Sequence, residues 1–324
     1  MLSLSITACS FCLKKSNSIG NKSAYQLNKP IEISKSSVKE EKIENVFYLF
    51  QKFFEENSSI IDDKEEQRVF KCSYTNEMVE TKDFVMYPIL ISSGVYGSAS
   101  EIINVETKKL QYQKNTKDVD LREYYLFVVI PKDNSRVKVQ KGMLIFQNIG
   151  PYGIKTIITQ KLQQYFSKNY KITLICNTIA PSLFIKKVLN ANNIKKITMI
   201  KNYKSSDGAD DYSLGYGQEI KTITKLKFTE SKWNQIKESM LYVSGAKDRL
   251  FELDNKKYDC VKAIAEIGGR TRTISLNNLE NLSIIESIPD DIRDITGNPN
   301  KNKLIEYLKK VIKEYLEEMV LTLE

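Results

Sequence analysis

Three acid-x-lysine triplets have the residue types and spacing to do chemistry: Glu80-Thr81-Lys82, Glu106-Thr107-Lys108 and Glu219-Ile220-Lys221. On a strand, residues two apart share a face, so each acid stands beside its lysine. With Asp210 or Asp211 ahead of it, the third triplet fits the D…E-x-K pattern of Mg2+-dependent nucleases. Asp211, Glu219 and Lys221 are the catalytic candidates of that reading, and Mg2+ is the one cofactor it needs. In a lysine-rich chain such triplets also arise by chance.

The chain has no histidine. That excludes Ser-His-Asp and Cys-His catalysis, zinc hydrolysis through paired histidines, and any imidazole base. Carboxylates with Mg2+, lysine, tyrosine or a Ser-Lys pair remain. Asp290-Asp291, after Pro289, reads as a helix N-terminus, where acids are favoured. No phosphate-loop or dinucleotide glycine fingerprint is present. The five cysteines are Cys9, Cys12, Cys72, Cys176 and Cys260. Their odd number and irregular spacing argue against a disulfide scaffold and point to a reducing cytoplasm. A single C-x-x-C supplies too few ligands for structural zinc, so no metal site is expected.

Charge is segregated. Residues 131–206 hold 14 Lys or Arg and one acid, Asp133. Residues 1–130 hold 17 basic and 18 acidic residues, and 207–324 hold 18 and 21. The net charge of +9 therefore comes from one stretch. Lysine abundance alone has a compositional explanation, and a basic face can dock on the acidic remainder of its own chain. Compositional bias does not, however, strip acids from one segment. A polyanion surface explains the pattern, since each lysine on a phosphate releases condensed counterions. The candidate contacts are Lys155, Lys161, Lys186 and Lys187 on helices, and Lys168, Lys171, Lys195, Lys196, Lys201 and Lys204 at strand ends. Tyr152, Tyr170 and Tyr203 are interleaved with them; edge packing is the plainer role, base stacking the functional one.

Gly150-Pro-Tyr-Gly153 sits between a strand and a helix. Amides there can meet phosphate, and a G-x-x-G loop clamps nucleotides in KH domains. The position three after the second glycine is Thr156 rather than an apolar residue, and a tight turn is the structural alternative. Gly268-Gly-Arg-Thr-Arg272 reads as a hairpin turn or a second phosphate contact.

These residues need elements to position them. Periodicity predicts a helix over 38–56, with Val46, Leu49, Phe50, Phe53 and Phe54 on one face. Apolar runs at 68–74, 84–91 and 124–131 read as strands. Then come a strand at 142–148, a helix at 154–166, a strand at 170–180, a short helix "LFIKKVLNA" and a strand at 194–202. This β-α-β-α-β order suggests parallel pairing through crossover helices. A loop at 203–217 precedes strands at 220–228, 258–267 and 270–278. A helix over 298–320 closes the chain with the stripe Leu304, Leu308, Val311, Ile312, Tyr315, Leu316 and Met319.

The predicted class is α+β: an N-terminal mixed or antiparallel sheet with a helix, a central basic β-α-β-α-β segment and a long C-terminal helix. The expected domains are 1–131, an N-terminal α+β region, and 132–324, a basic α/β region. No apolar run is long enough to span a membrane. Ile6 to Cys9 resembles a lipoprotein cleavage box, but Met1 to Ser5 lacks a basic residue; the expectation is a first strand over Leu2–Phe11.

The order "YYLFVVIP", "GMLIFQNIGPYG", "ITMIKN", "RTRTISL" and a closing helix resembles the DNA-binding phage-exclusion proteins of prophages and the DNA-binding subunit of the Kiwa anti-phage system. The resemblance is one of order over most of the chain. It implies a cytoplasmic, dimeric, DNA-binding role in phage defence. The leading expectation is a homo-oligomeric nucleic-acid binder without its own catalytic centre, serving as an effector or sensor. The alternatives are the nuclease above and a subunit whose basic segment meets an acidic protein partner.

Overall fold

The computed structural model describes residues 2–16, 24–35, 38–43, 45–73, 77–132, 139–179, 194–204, 216–224, 251–253, 256–258, 260–267, 270–275 and 284–321. They fall into two compact units, Met1–Asn177 with Pro289–Glu306, and Thr178–Ile288 with Tyr307–Glu324.

The first unit holds β1 (Leu4–Lys15), β2 (Ile31–Lys35), β3 (Val38–Ile43), α1 (Phe47–Glu56), β4 (Ile61–Asp63), β5 (Arg68–Ser73), β6 (Val79–Glu80), β7 (Phe84–Val95), β8 (Ser100–Ile103), β9 (Leu110–Lys114), β10 (Arg122–Pro131), β11 (Gly142–Ile149), α2 (Lys155–Tyr170) and β12 (Ile172–Thr178). Its sheet runs β1-β11-β10-β7-β5-β4, with β12 on β1 and β6 on β7. β10 is apolar nearly throughout because both faces are covered. Tyr124, Leu126, Val128 and Ile130 join the core under α1 and α2, while Phe127 and Val129 are buried on the other side. Phe50 of α1 meets Phe11 at 5.4 Å and Phe166 of α2 at 5.2 Å, both edge-to-face, the geometry the ring quadrupole favours.

Residues 38–43 depart from the expected helix. They pair with β2 as a hairpin, Ile31 opposite Ile43. Lys39 to Lys42 offers no apolar side chain to a helical stripe, so α1 starts at Phe47, where Asn45 Oδ1 accepts the Phe47 amide at 2.9 Å. The five apolar residues that suggested the helix are all buried. The β8–β9 hairpin stands apart as its own two-stranded sheet, with Ile102, Ile103, Val105, Leu110 and Tyr112 exposed.

The second unit holds β13 (Ile194–Lys204), β14 (Tyr216–Thr224), β15 (Phe251–Leu253), β16 (Lys256–Tyr258), β17 (Cys260–Ile267), β18 (Arg270–Ser275) and β19 (Ile284–Ser287). The order β14-β13-β17-β18-β19 is antiparallel at every step. The third helix, α3 (Lys301–Leu321), begins in the first unit and continues in the second. Its Leu304, Leu308, Val311, Ile312 and Tyr315 are buried as the stripe requires.

The class is α+β, with a large antiparallel sheet and a closing helix. The β-α-β succession of the basic segment is present, but its parallel pairing is not. β11 is flanked by β1 and β10, antiparallel to both. β12 lies on β1, with the Ser16 amide on the Lys171 carbonyl and the Ser10 hydroxyl on the Asn177 carbonyl, an opposed course. Filled edges leave β11 no site for a crossover partner. The expected boundary at 131/132 lies between β10 and β11, two paired strands of one sheet, so both sit in the first unit. The proposed short helix around Lys186 and Lys187 lies outside the described residues.

Candidate nucleic-acid interface

The Gly150–Gly153 turn joins β11 to α2. The Ile149 amide donates to the Tyr152 carbonyl at 2.9 Å and the Tyr152 amide to the Ile149 carbonyl at 3.0 Å. Gly150 has φ +56, a conformation that favours glycine, and its amide donates to the Ser3 carbonyl at 2.7 Å. A Cβ on Gly153 would lie 2.5 Å from Asn148 Oδ1. Both glycines thus have steric reasons to be present, and two of the turn's amides are already spent on carbonyls rather than open to phosphate.

Two arginines hold this turn. Arg68 on β5 donates from Nη2 to the Gly153 carbonyl at 2.6 Å and from Nε to Ser93 Oγ at 2.9 Å. Arg122 on β10 lies 4.1 Å over the Tyr152 ring and donates to Asp120 at 3.2 Å. Its Nη1 is buried with no hydrogen-bond acceptor of regular geometry. Neither arginine is evident as a functional candidate in the sequence, since both lie in the charge-balanced first part. The available signal is scarcity: the chain has 42 lysines and only 7 arginines, and a planar fork is kept where a lysine cannot substitute.

The α2 lysines divide by environment. Lys155, in the first turn, is half-buried beside the Cys9 thiol. Burial raises the Cys9 pKa, and the charge and hydrogen bond of Lys155 partly offset it. Lys161 is bound to Asp63 at 2.6 Å. That hydrogen bond, more than any other cause, holds the Asp63 carboxyl below its ordinary value. Lys132, in the same acid-poor stretch, pairs with Glu80. Lys168 and Lys171 are exposed at the C-terminal end of the helix, where carbonyls also favour cations. Of the proposed stacking residues in this unit, Tyr152 is exposed beneath Arg122, whereas Tyr170 is buried against Phe166 and Tyr165 and cannot meet a base. Its apolar neighbours on α2 put it on the core side.

In the second unit, β13 carries Lys195, Lys196, Lys201, Lys204 and Tyr203. The register of β13 against β17 shifts between Ile194 and Lys196, so Lys195 sits at an irregularity of the strand; the side chains of Tyr203 and Lys204 lie outside the described residues. Lys195 pairs with Glu266 at 3.1 Å. Lys196 and Lys201 are half-buried. On β14, Glu219 is opposite Lys201 and Lys221 is opposite Met199, two positions apart on one strand; the Glu219 side chain lies outside the described residues. Asp211 lies outside the described residues. Among the described residues no group of three His, Cys, Asp or Glu could hold a metal.

The other sequence candidates have structural roles. Glu80 is held by Lys132. Asp290 and Asp291 open a one-turn 3-10 helix, with Arg293 on Asp290 at 2.8 Å. Ile267 and Arg270 pair directly across β17 and β18, the hairpin reading. Arg272 is 1% exposed, with Nε 3.4 Å from Glu286 and Nη2 3.0 Å from Glu314. Glu286, fully buried, also accepts from Tyr307 at 2.7 Å and Tyr315 at 3.1 Å. A buried charge so paired is an anchor for α3.

The chain matches no known protein family, no curated protein and no solved structure. No helix among the described residues is long and apolar enough to cross a membrane.

Proposed function

We propose that this protein binds nucleic acid, DNA in the first instance, without a catalytic centre of its own, and acts as a cytoplasmic, homo-oligomeric effector or sensor in phage defence. The phage-defence role rests on the resemblance in element order. The binding role rests on one observation: 14 basic residues against one acid over residues 131–206. Lys132, Lys161 and Lys195 meet carboxylates, which narrows the contact surface. Lys168 and Lys171, together and exposed at the end of α2, support it best in the first unit.

Titrating single- and double-stranded DNA and RNA into the protein between about 50 and 200 mM salt tests the reading, because phosphate contacts lose affinity steeply over that range. Saturable binding that weakens with salt is expected. No binding at the low end removes the proposal. The alternative of an acidic protein partner instead requires a tight protein complex that purifies free of nucleic acid.

The nuclease alternative rests on the E-x-K spacing of Glu219 and Lys221, both on strand β14. It requires cleavage of plasmid or single strands with Mg2+ that Glu219→Ala abolishes.

A further inference from the structure

A cavity of about 570 Å3 opens on the first unit. Lys71 on β5, Ser92 on β7 and Glu123 on β10 form one cross-strand row of its wall: Lys71 is opposite Ser92, and Ser92 is opposite Glu123. The adjacent residues on those strands, Cys72, Ile91 and Tyr124, enter the core under α1 and α2, so by strand alternation the row faces the other side of the sheet. Neighbouring strands lie about 4.8 Å apart, which sets the lysine and the glutamate about 10 Å apart across the serine. Neither charge makes an ion pair among the described residues. Ser92 is 5% exposed, and its hydroxyl makes no hydrogen bond among the described residues. A buried polar group without a partner carries a free-energy cost that a bound ligand removes. Leu2 and Leu121 border the same cavity and are exposed.

One cation, one carboxylate and a hydroxyl between them suit a ligand that carries both charges. A bare anion meets Glu123 unfavourably, a bare cation meets Lys71 unfavourably, and a neutral molecule leaves both unanswered. Side chains stand roughly perpendicular to a sheet, so the ligand's own charges must be separated along the row. The ammonium and carboxylate of a free amino acid share one carbon and do not reach both ends. An extended chain spans about 3.3–3.6 Å per residue, so two or three residues bridge the row. The volume lies in the range of small-molecule sites. We propose that this cavity binds a free di- or tripeptide, with its carboxylate on Lys71, its ammonium on Glu123, a peptide group on the Ser92 hydroxyl and an apolar side chain against Leu2 and Leu121. The occupant is a free peptide rather than the end of a longer chain, because each end of the row calls for one terminus. The inference does not require the nucleic-acid reading above.

Calorimetric titration of the full chain with leucyl-glycyl-leucine, its N-acetylated and C-amidated forms, and free leucine tests it. The free peptide is expected to saturate one site, with either blocked form and leucine each about tenfold weaker or more. Glu123→Gln should weaken the free peptide about tenfold without weakening the N-acetylated form. Lys71→Met should do the same to the free peptide without weakening the C-amidated form. This end-by-end pattern separates direct contact from a general change of charge. No saturable heat with the free peptide, blocked forms that bind as tightly as it does, or affinities unchanged in both variants overturns the proposal. Leucine binding as tightly as the tripeptide overturns it as well. Each of these results bears on the cavity alone and leaves the nucleic-acid reading standing.

Discussion

Arg68 ties three strands' worth of structure to one turn, through Ser93 on β7 and the Gly153 carbonyl beyond β11. Replacing it with Met should remove both bonds and lower the unfolding free energy by about 1–2 kcal/mol, read from urea denaturation. Lys161 is a different case. Its bond to Asp63 depresses the folded-state pKa of that carboxyl. The contribution is therefore present above the ordinary carboxyl value and is lost as pH falls through the lower, folded one. Lys161→Met should move the Asp63 titration upward, observed on its side-chain carboxyl carbon by NMR. Both residues show what composition conceals. The acid-free count identified Lys161 as a polyanion contact, yet its partner lies 98 positions earlier in the chain. Arg68 and Arg122 were invisible to charge counting because acids near them in sequence balanced the tally.

Elements were easier to read than their partners. The stripe of α3, the apolar face of α2 and the strands at 68–73, 84–95, 122–131 and 142–149 follow from local periodicity, since burial acts on every second or every third-to-fourth residue. Pairing does not. β1 joins β11 across more than a hundred residues, Leu4 opposite Ile149, and nothing local announces it. The same limit hid the buried cluster of Arg272, Glu286, Tyr307 and Tyr315, which unites two strands and a helix. Glu286→Gln leaves Arg272 poorly compensated in an apolar setting. It should cost about 3 kcal/mol, while Arg272→Met with Glu286→Leu together should recover much of that loss. By contrast, Lys195→Ala at the exposed pair with Glu266 should change stability by less than about 1 kcal/mol. Chemical denaturation of the four proteins decides both points.

At the scale of the whole molecule, the basic stretch does not stay in one piece. Its first part builds β11, α2 and β12 of the first unit, and its last part is β13 of the second. The lysines are therefore read unit by unit: some neutralised by carboxylates, some beside a thiol, and Lys168 and Lys171 exposed at the end of α2. The binding claim is sharpest there. The most direct measurement is the slope of log affinity against log salt for duplex DNA, compared between the unaltered protein and Lys168→Gln with Lys171→Gln. If these ammonium groups meet phosphates, the slope should become shallower by about 1.8, roughly 0.9 for each lost contact. An identical slope in both proteins, or no binding of either at low salt, would contradict the account.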